Sequence, residues 1–112
     1  MEQLFAEIVQ GLAQCKEEGI IPVSMGIDTW AVDFLLLDRQ GKPLGNAVSY
    51  RDSRTQGMDR LVEARISPEE LYARTGIQKQ AFNTIYQLMA VKQQEPALLE
   101  QAQRLLLVPE YL

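Results

Sequence analysis

The stretch GIDTWAVDFLLLD, residues 26–38, decides how this chain folds. Its second part, AVDFLLLD from residue 31, is an apolar run closed by a turn, as a buried strand requires. Its first part overlaps VSMGID (residues 23–28), short and apolar, which reads as a buried strand too. Three aspartates recur at five-residue spacing: Asp28, Asp33 and Asp38. Side chains alternate along a strand with period two, so Asp28 and Asp33 would face opposite sides of an unbroken strand. Asp38 opens DRQGKPLG, where an aspartate serves the local hydrogen bonds of a turn. The spacing argues against a metal triad, and no metal site is expected.

Outward from this stretch the pattern alternates. Residues 3–18 read as an amphipathic helix, with Leu4, Phe5, Ile8, Val9 and Leu12 on one buried face. Gly19 stops it and Pro22 prevents its continuation. Downstream, NAVSY (residues 46–50) is a third strand, so residues 31–50 form a hairpin. Ser53 caps a helix running to about Arg65. SPEE is a strong helix start: Ser67 as N-cap, Pro68 at the first position, Glu70 closing a capping box, with Gly76 as the stop. TIYQ repeats that logic with Thr84 and Gln87, and Ile85, Leu88 and Met89 supply an apolar stripe. Glu95-Pro96 opens a further short helix, RLLLVP is another buried strand, and EYL begins an element without finishing it. The expected class is α/β, a mixed sheet with flanking helices, incomplete at both ends.

Composition narrows the function. At 112 residues the chain makes one small domain. Hydrophobic residues at 46% and charged residues at 23% describe a globular protein. A net charge of −4 argues against a nucleic-acid partner. No apolar run approaches the roughly 20 residues needed to cross a bilayer, so no membrane partner is expected. The acidic N-terminus and the single cysteine, Cys15, point to the cytoplasm. Histidine is absent, which removes Ser-His-Asp and Cys-His chemistry and most zinc sites.

Three places could carry a site. Asp28-Thr29-Trp30 follows a strand at its carboxyl end, where open α/β sheets bind ligands. Its polar groups suit a hydroxylated substrate and its indole offers a flat apolar wall; the alternative is a strand end with Trp30 packed in the core. YRDSRT (residues 50–55) holds Arg51 and Arg54, which could grip a phosphate or polyol. It could equally be an ion-pair network at a helix start, with Asp52 favoured there by the dipole. Asn83, Thr84 and Tyr86 sit at a helix N-terminus suited to polar ligands, where capping is the simpler role. Neither GxGxxG nor GxxxxGK occurs.

Taken together, SMGIDTWAVDFLLLD, PLGNAVSYRDSRT, LYARTGIQ, FNTIYQL and RLLLVPEYL, in this order and spacing, resemble the N-terminal domain of the FGGY carbohydrate kinases. The resemblance runs from about Gln3 to Leu112. It implies a partial, incomplete actin-like, ribonuclease-H-like domain over residues 1–112, an internal piece of the first of two domains closing on sugar and Mg-ATP. It implies a parent kinase using ATP and Mg2+ to phosphorylate L-rhamnulose or a similar ketose at its 1-hydroxyl. By the same resemblance Asp28, Thr29, Trp30 and Ala31 line the sugar site, and Arg51 and Asp52 support that loop from behind. Ala31 stands where the family often has glycine, one methyl larger, and narrows the pocket.

The family's phosphate loop would lie before Met1 and its His-Asp-Thr base beyond Leu112. No catalytic residue, ATP or Mg2+ is therefore expected in this segment, which should be inactive alone. An unpaired strand edge beside VSMGID should make it a homo-oligomer. A free-standing interaction module descended from a kinase, and a kinase for another ketose or polyol, are the competing readings.

Overall fold

In the computed structural model, which describes residues 1–112, FLLL of the opening stretch forms β1 (Phe34–Leu37). It pairs antiparallel with β2 (Arg104–Leu107), from Phe34 opposite Leu107 to Leu37 opposite Arg104. Both ends of the ladder are extended: Val108 N–H donates to the Asp33 carbonyl (2.9 Å) and Gln103 N–H to that of Leu37 (2.8 Å). These two strands are the whole sheet. The mixed sheet expected from the sequence is thus an antiparallel pair.

The chain has six helices: α1 (Glu2–Glu17), α2 (Met58–Glu63), α3 (Pro68–Thr75), α4 (Thr84–Gln94), α5 (Pro96–Gln101) and α6 (Val108–Tyr111). β1 is covered on both faces, which is why it reads as a continuous apolar run. Leu35 and Leu37 form a core with Val108, flanked by Met1, Ala47, Leu106 and Tyr111. Phe34, on the opposite face, lies under the Arg54 guanidinium at 5.8 Å. Val62 of α2 and Tyr86, Ala90 and Val91 of α4 are buried where those two helices meet.

Several expectations are corrected. Residues 23–28 are not a strand but exposed, irregular chain, with Val23 103% exposed. A strand needs a neighbour for its amide and carbonyl groups, and nothing in this chain pairs with it. The hairpin after β1 survives as one bridge, Leu37 to Pro43, around a turn at residues 38–42, while NAVSY forms no strand. The apolar side of α1 is uncovered: Phe5, Val9 and Leu12 are exposed, and no residue of that helix is fully buried.

The helix expected from Ser53 is split. Residues Ser53–Thr55 make a single 3-10 turn capped by Asp52, and α2 starts afresh after Gly57, whose φ is +75°. Ser67 caps α3 as expected, accepting from Glu70 N–H, but the Glu70 carboxylate turns to Arg74 instead of closing the box. Thr84 is the first residue of α4, not its cap, and the buried face is turned from the expected stripe to Tyr86, Gln87, Ala90 and Val91.

Candidate functional site

The loop before β1 is held by one buried carboxylate. Asp33 is 4% exposed. Its Oδ2 accepts the Trp30 indole Nε1–H at 2.7 Å, and its Oδ1 accepts the Tyr50 backbone N–H, also at 2.7 Å. The loop is therefore tied across 17 residues to the chain leaving the turn. Between Trp30 and Asp33, Val32 adopts φ +80°, the left-handed region that a β-branched residue rarely enters. Such a conformation costs on the order of 1–3 kcal/mol and persists where the surroundings hold it.

Gln87 supplies the second restraint. It is fully buried on α4, and its Nε2 donates to the Val32 carbonyl (3.3 Å) and to that of Phe82 (2.9 Å). Its Oε1 accepts from Arg54 Nη2 at 2.9 Å. Burial pushes the Arg54 guanidinium down from its ordinary value, opposed first by Asp52 and then by Asp33 and Glu95. Arg54 is thus a structural cation spanning β1 and α4.

The expected sugar residues divide between two hollows. Asp28 and Trp30 line a cavity of about 280 Å³ together with Leu4, Ile8 and Leu112. Trp30 is neither free nor packed in the core; 43% of it is exposed. Ala31 and Val32 instead open on a larger groove of about 980 Å³, walled by Tyr72, Ile77, Phe82 and Ile85. Thr29 lines neither hollow; its Oγ1 is buried and without a hydrogen-bond partner.

Arg51 and Asp52 follow Tyr50, whose backbone N–H is held by Asp33. Arg51 stacks on the Tyr50 ring at 5.4 Å and donates to its hydroxyl. Asp52 accepts from Arg54 N–H at 2.8 Å. Of the remaining aspartates, Asp38 accepts from Gln40 and Lys42 N–H and closes its turn. Asn83 donates to the Gln78 carbonyl, and Tyr86 is buried.

The larger groove carries one basic side chain, Lys79, and it is engaged: Nζ donates to Glu63 (2.6 Å) and Asp59 (2.9 Å). Glu63 first and Asp59 second hold the Lys79 ammonium above its ordinary value. The rest of the groove is mostly apolar.

Sequence reasoning passed over Asp33 and Gln87 as site residues. Both were visible as polar residues inside apolar segments, but the partners that tie them to other elements, Tyr50 for Asp33 and Val32 for Gln87, lie 17 and 55 positions away, beyond any local pattern.

The chain is 56% identical over 111 residues to a protein named rhamnulokinase from Halalkalibacterium halodurans, with 99% of this chain and 24% of that protein aligned. A rhamnulokinase from Oceanobacillus iheyensis is 50% identical over 112 residues, covering 100% of this chain and 24% of the relative. One from Klebsiella pneumoniae is 50% identical over 111 residues, covering 99% and 23%. The chain spans about a quarter of the length of these curated relatives. The model of the FGGY family of carbohydrate kinases, N-terminal domain, matches residues 1–112, and the chain belongs to that family.

Proposed function

We propose that this chain forms part of the sugar-side wall in a kinase that transfers the γ-phosphoryl group of ATP to the 1-hydroxyl of L-rhamnulose. Similarity to relatives named rhamnulokinase supports the substrate. The observation that carries the assignment of the wall is Trp30, fixed by Asp33 beside Asp28 on one cavity. Asp28 would accept hydroxyl hydrogen bonds and the indole would pack against the sugar's apolar face, with Thr29 joining the two along the loop. Ala31 shapes the opposite side of the loop. Arg51 and Asp52 hold the segment that carries Tyr50 and Arg54.

In this reading β1 and β2 are part of a larger actin-like, ribonuclease-H-like sheet, working in the cytoplasm. The parent kinase uses Mg-ATP, bound by residues outside this chain. Phosphoryl transfer also needs a base for the hydroxyl proton and groups that neutralise the γ-phosphate. In this reading both come from the rest of the parent kinase, and the segment alone is inactive.

The test is a chimera of the Halalkalibacterium halodurans relative in which this chain replaces the 111 aligned residues. The chimera should phosphorylate L-rhamnulose and the isolated chain should not. Trp30→Ala in the chimera should raise KM for the ketose at least tenfold with KM for ATP unchanged. A chimera that hydrolyses ATP yet accepts another ketose or polyol better would reassign the substrate. Turnover by the isolated chain would end the claim of inactivity.

A further inference from the structure

We propose that Asp33 is a positioning residue for sugar recognition, a two-acceptor clasp that fixes the Trp30 indole and the strained backbone of Val32 in the binding-competent loop. The inference rests on the reading of Trp30 as a wall of the sugar pocket, and goes beyond it in naming what sets that wall's place. Two N–H groups, indole and backbone, converge on the two oxygens of one buried carboxylate at 2.7 Å each. Only an ionised carboxylate offers an acceptor on both sides; an amide of the same size turns an NH2 group towards one of the donors.

The geometry has the marks of preorganisation. Residues 30 and 33 are three apart, and the chain between them passes through φ +80° at Val32. That turn brings the indole back over the carboxylate of its own loop. Gln87 Nε2 pins the Val32 carbonyl from the other side. A loop that is strained and tied at both its side-chain and backbone ends has few alternative states. The sugar then finds the indole already in place, which lowers the ordering cost of binding.

Trp30 is the single tryptophan of the chain, so it reports on the clasp directly. In the 112-residue chain the indole Nε1–H should exchange with solvent at least tenfold more slowly than in free tryptophan, although much of the ring is open to solvent. Asp33→Asn should abolish that protection and increase acrylamide quenching of Trp30 fluorescence. In the active chimera Asp33→Asn should raise KM for the ketose about tenfold, with KM for ATP unchanged and kcat lowered no more than about twofold. Trp30→Phe, which removes the Nε1 donor and keeps a ring, should raise the same KM severalfold.

Unprotected exchange in the wild-type chain overturns the clasp, whether or not the Asn variant folds. A protected indole, with KM for the ketose unmoved by both Asp33→Asn and Trp30→Phe, overturns the positioning role. If Trp30→Ala leaves that KM unmoved too, the wall itself is wrongly assigned; if it raises KM, only the role of Asp33 fails.

Discussion

At the scale of single residues, Gln87 shows how a buried side chain can be more consequential than an exposed charge. Its amide satisfies two carbonyls and one guanidinium with no access to solvent. Gln87→Leu leaves all three unmet, and each buried polar group without a partner costs roughly 1–3 kcal/mol. The variant should therefore lose at least about 2 kcal/mol, seen as a lower urea midpoint at unchanged slope. Gln87→Glu should also destabilise, despite placing a carboxylate on Arg54, because its second oxygen faces the Val32 and Phe82 carbonyls. TIYQ suggested a capping residue at this position, since a glutamine three residues after a threonine is a local signature. The real partners lie far along the chain, where no local pattern reaches. Asp33's tie to Tyr50 was hidden for the same reason, although Trp30 is only three residues away, whereas Asp38 was legible because all its partners lie within four residues.

At the scale of elements, the termini that local chemistry fixes are the ones the sequence announced. Ser67 caps α3 and Gly76 ends it at φ +64°. Ser67→Ala should cost about 1 kcal/mol, read from chemical denaturation. Strands 34–37 and 104–107 were legible because each is an apolar run that finds its partner within this chain. VSMGID, also short and largely apolar, forms no strand, because a strand is a relation between two segments. The clamp of Lys79 on α2 adds a condition-dependent contact between residues 77–83 and that helix. Lys79 is raised above its ordinary 10.5 by Glu63 and then Asp59. A raised folded-state value means that its contribution is complete below pH 10.5 and fades as pH rises further. Asp59 is lowered below 3.8, chiefly by its hydrogen bond from Lys79, so its contribution is present above that pH and lost as pH falls through the lowered value. Between roughly pH 4 and 10 the clamp should hold. Lys79→Ala should lower the melting temperature slightly there, by less at 1 M salt than at 0.05 M, since the groups are exposed and screened.

At the scale of the whole molecule, the chain has more surface than its mass explains. A compact protein of 12.7 kDa exposes about 6,200 Å², and this one exposes 8322 Å². Its radius of gyration is 17.9 Å, against about 13 Å for a compact domain of this length. The excess, on the order of 2,000 Å², is the size of a full protein–protein interface. It is also apolar: Ile20, Ile21, Val23, Met25 and Ile27 are exposed in one irregular run, and Phe5, Val9 and Leu12 on the helix before it. Apolar area at about 25 cal/mol per Å² favours covering that run, and the net charge of −4 opposes it through long-range repulsion. Dispersion and desolvation act at contact while the repulsion is screened within about 10 Å at 0.1 M salt, so contact wins. The isolated chain should therefore self-associate at micromolar concentration, more strongly as salt is raised, and light scattering should show dimers or larger species. The contact should centre on residues 20–27 and α1, the region of VSMGID where the sequence suggested an unpaired edge, although the chain there is irregular and not a strand. Ile21→Lys with Val23→Glu, both at exposed positions, should shift the distribution towards monomer without lowering the melting temperature. A clean monomer that melts cooperatively before any substitution would favour a free-standing interaction module over part of a larger kinase.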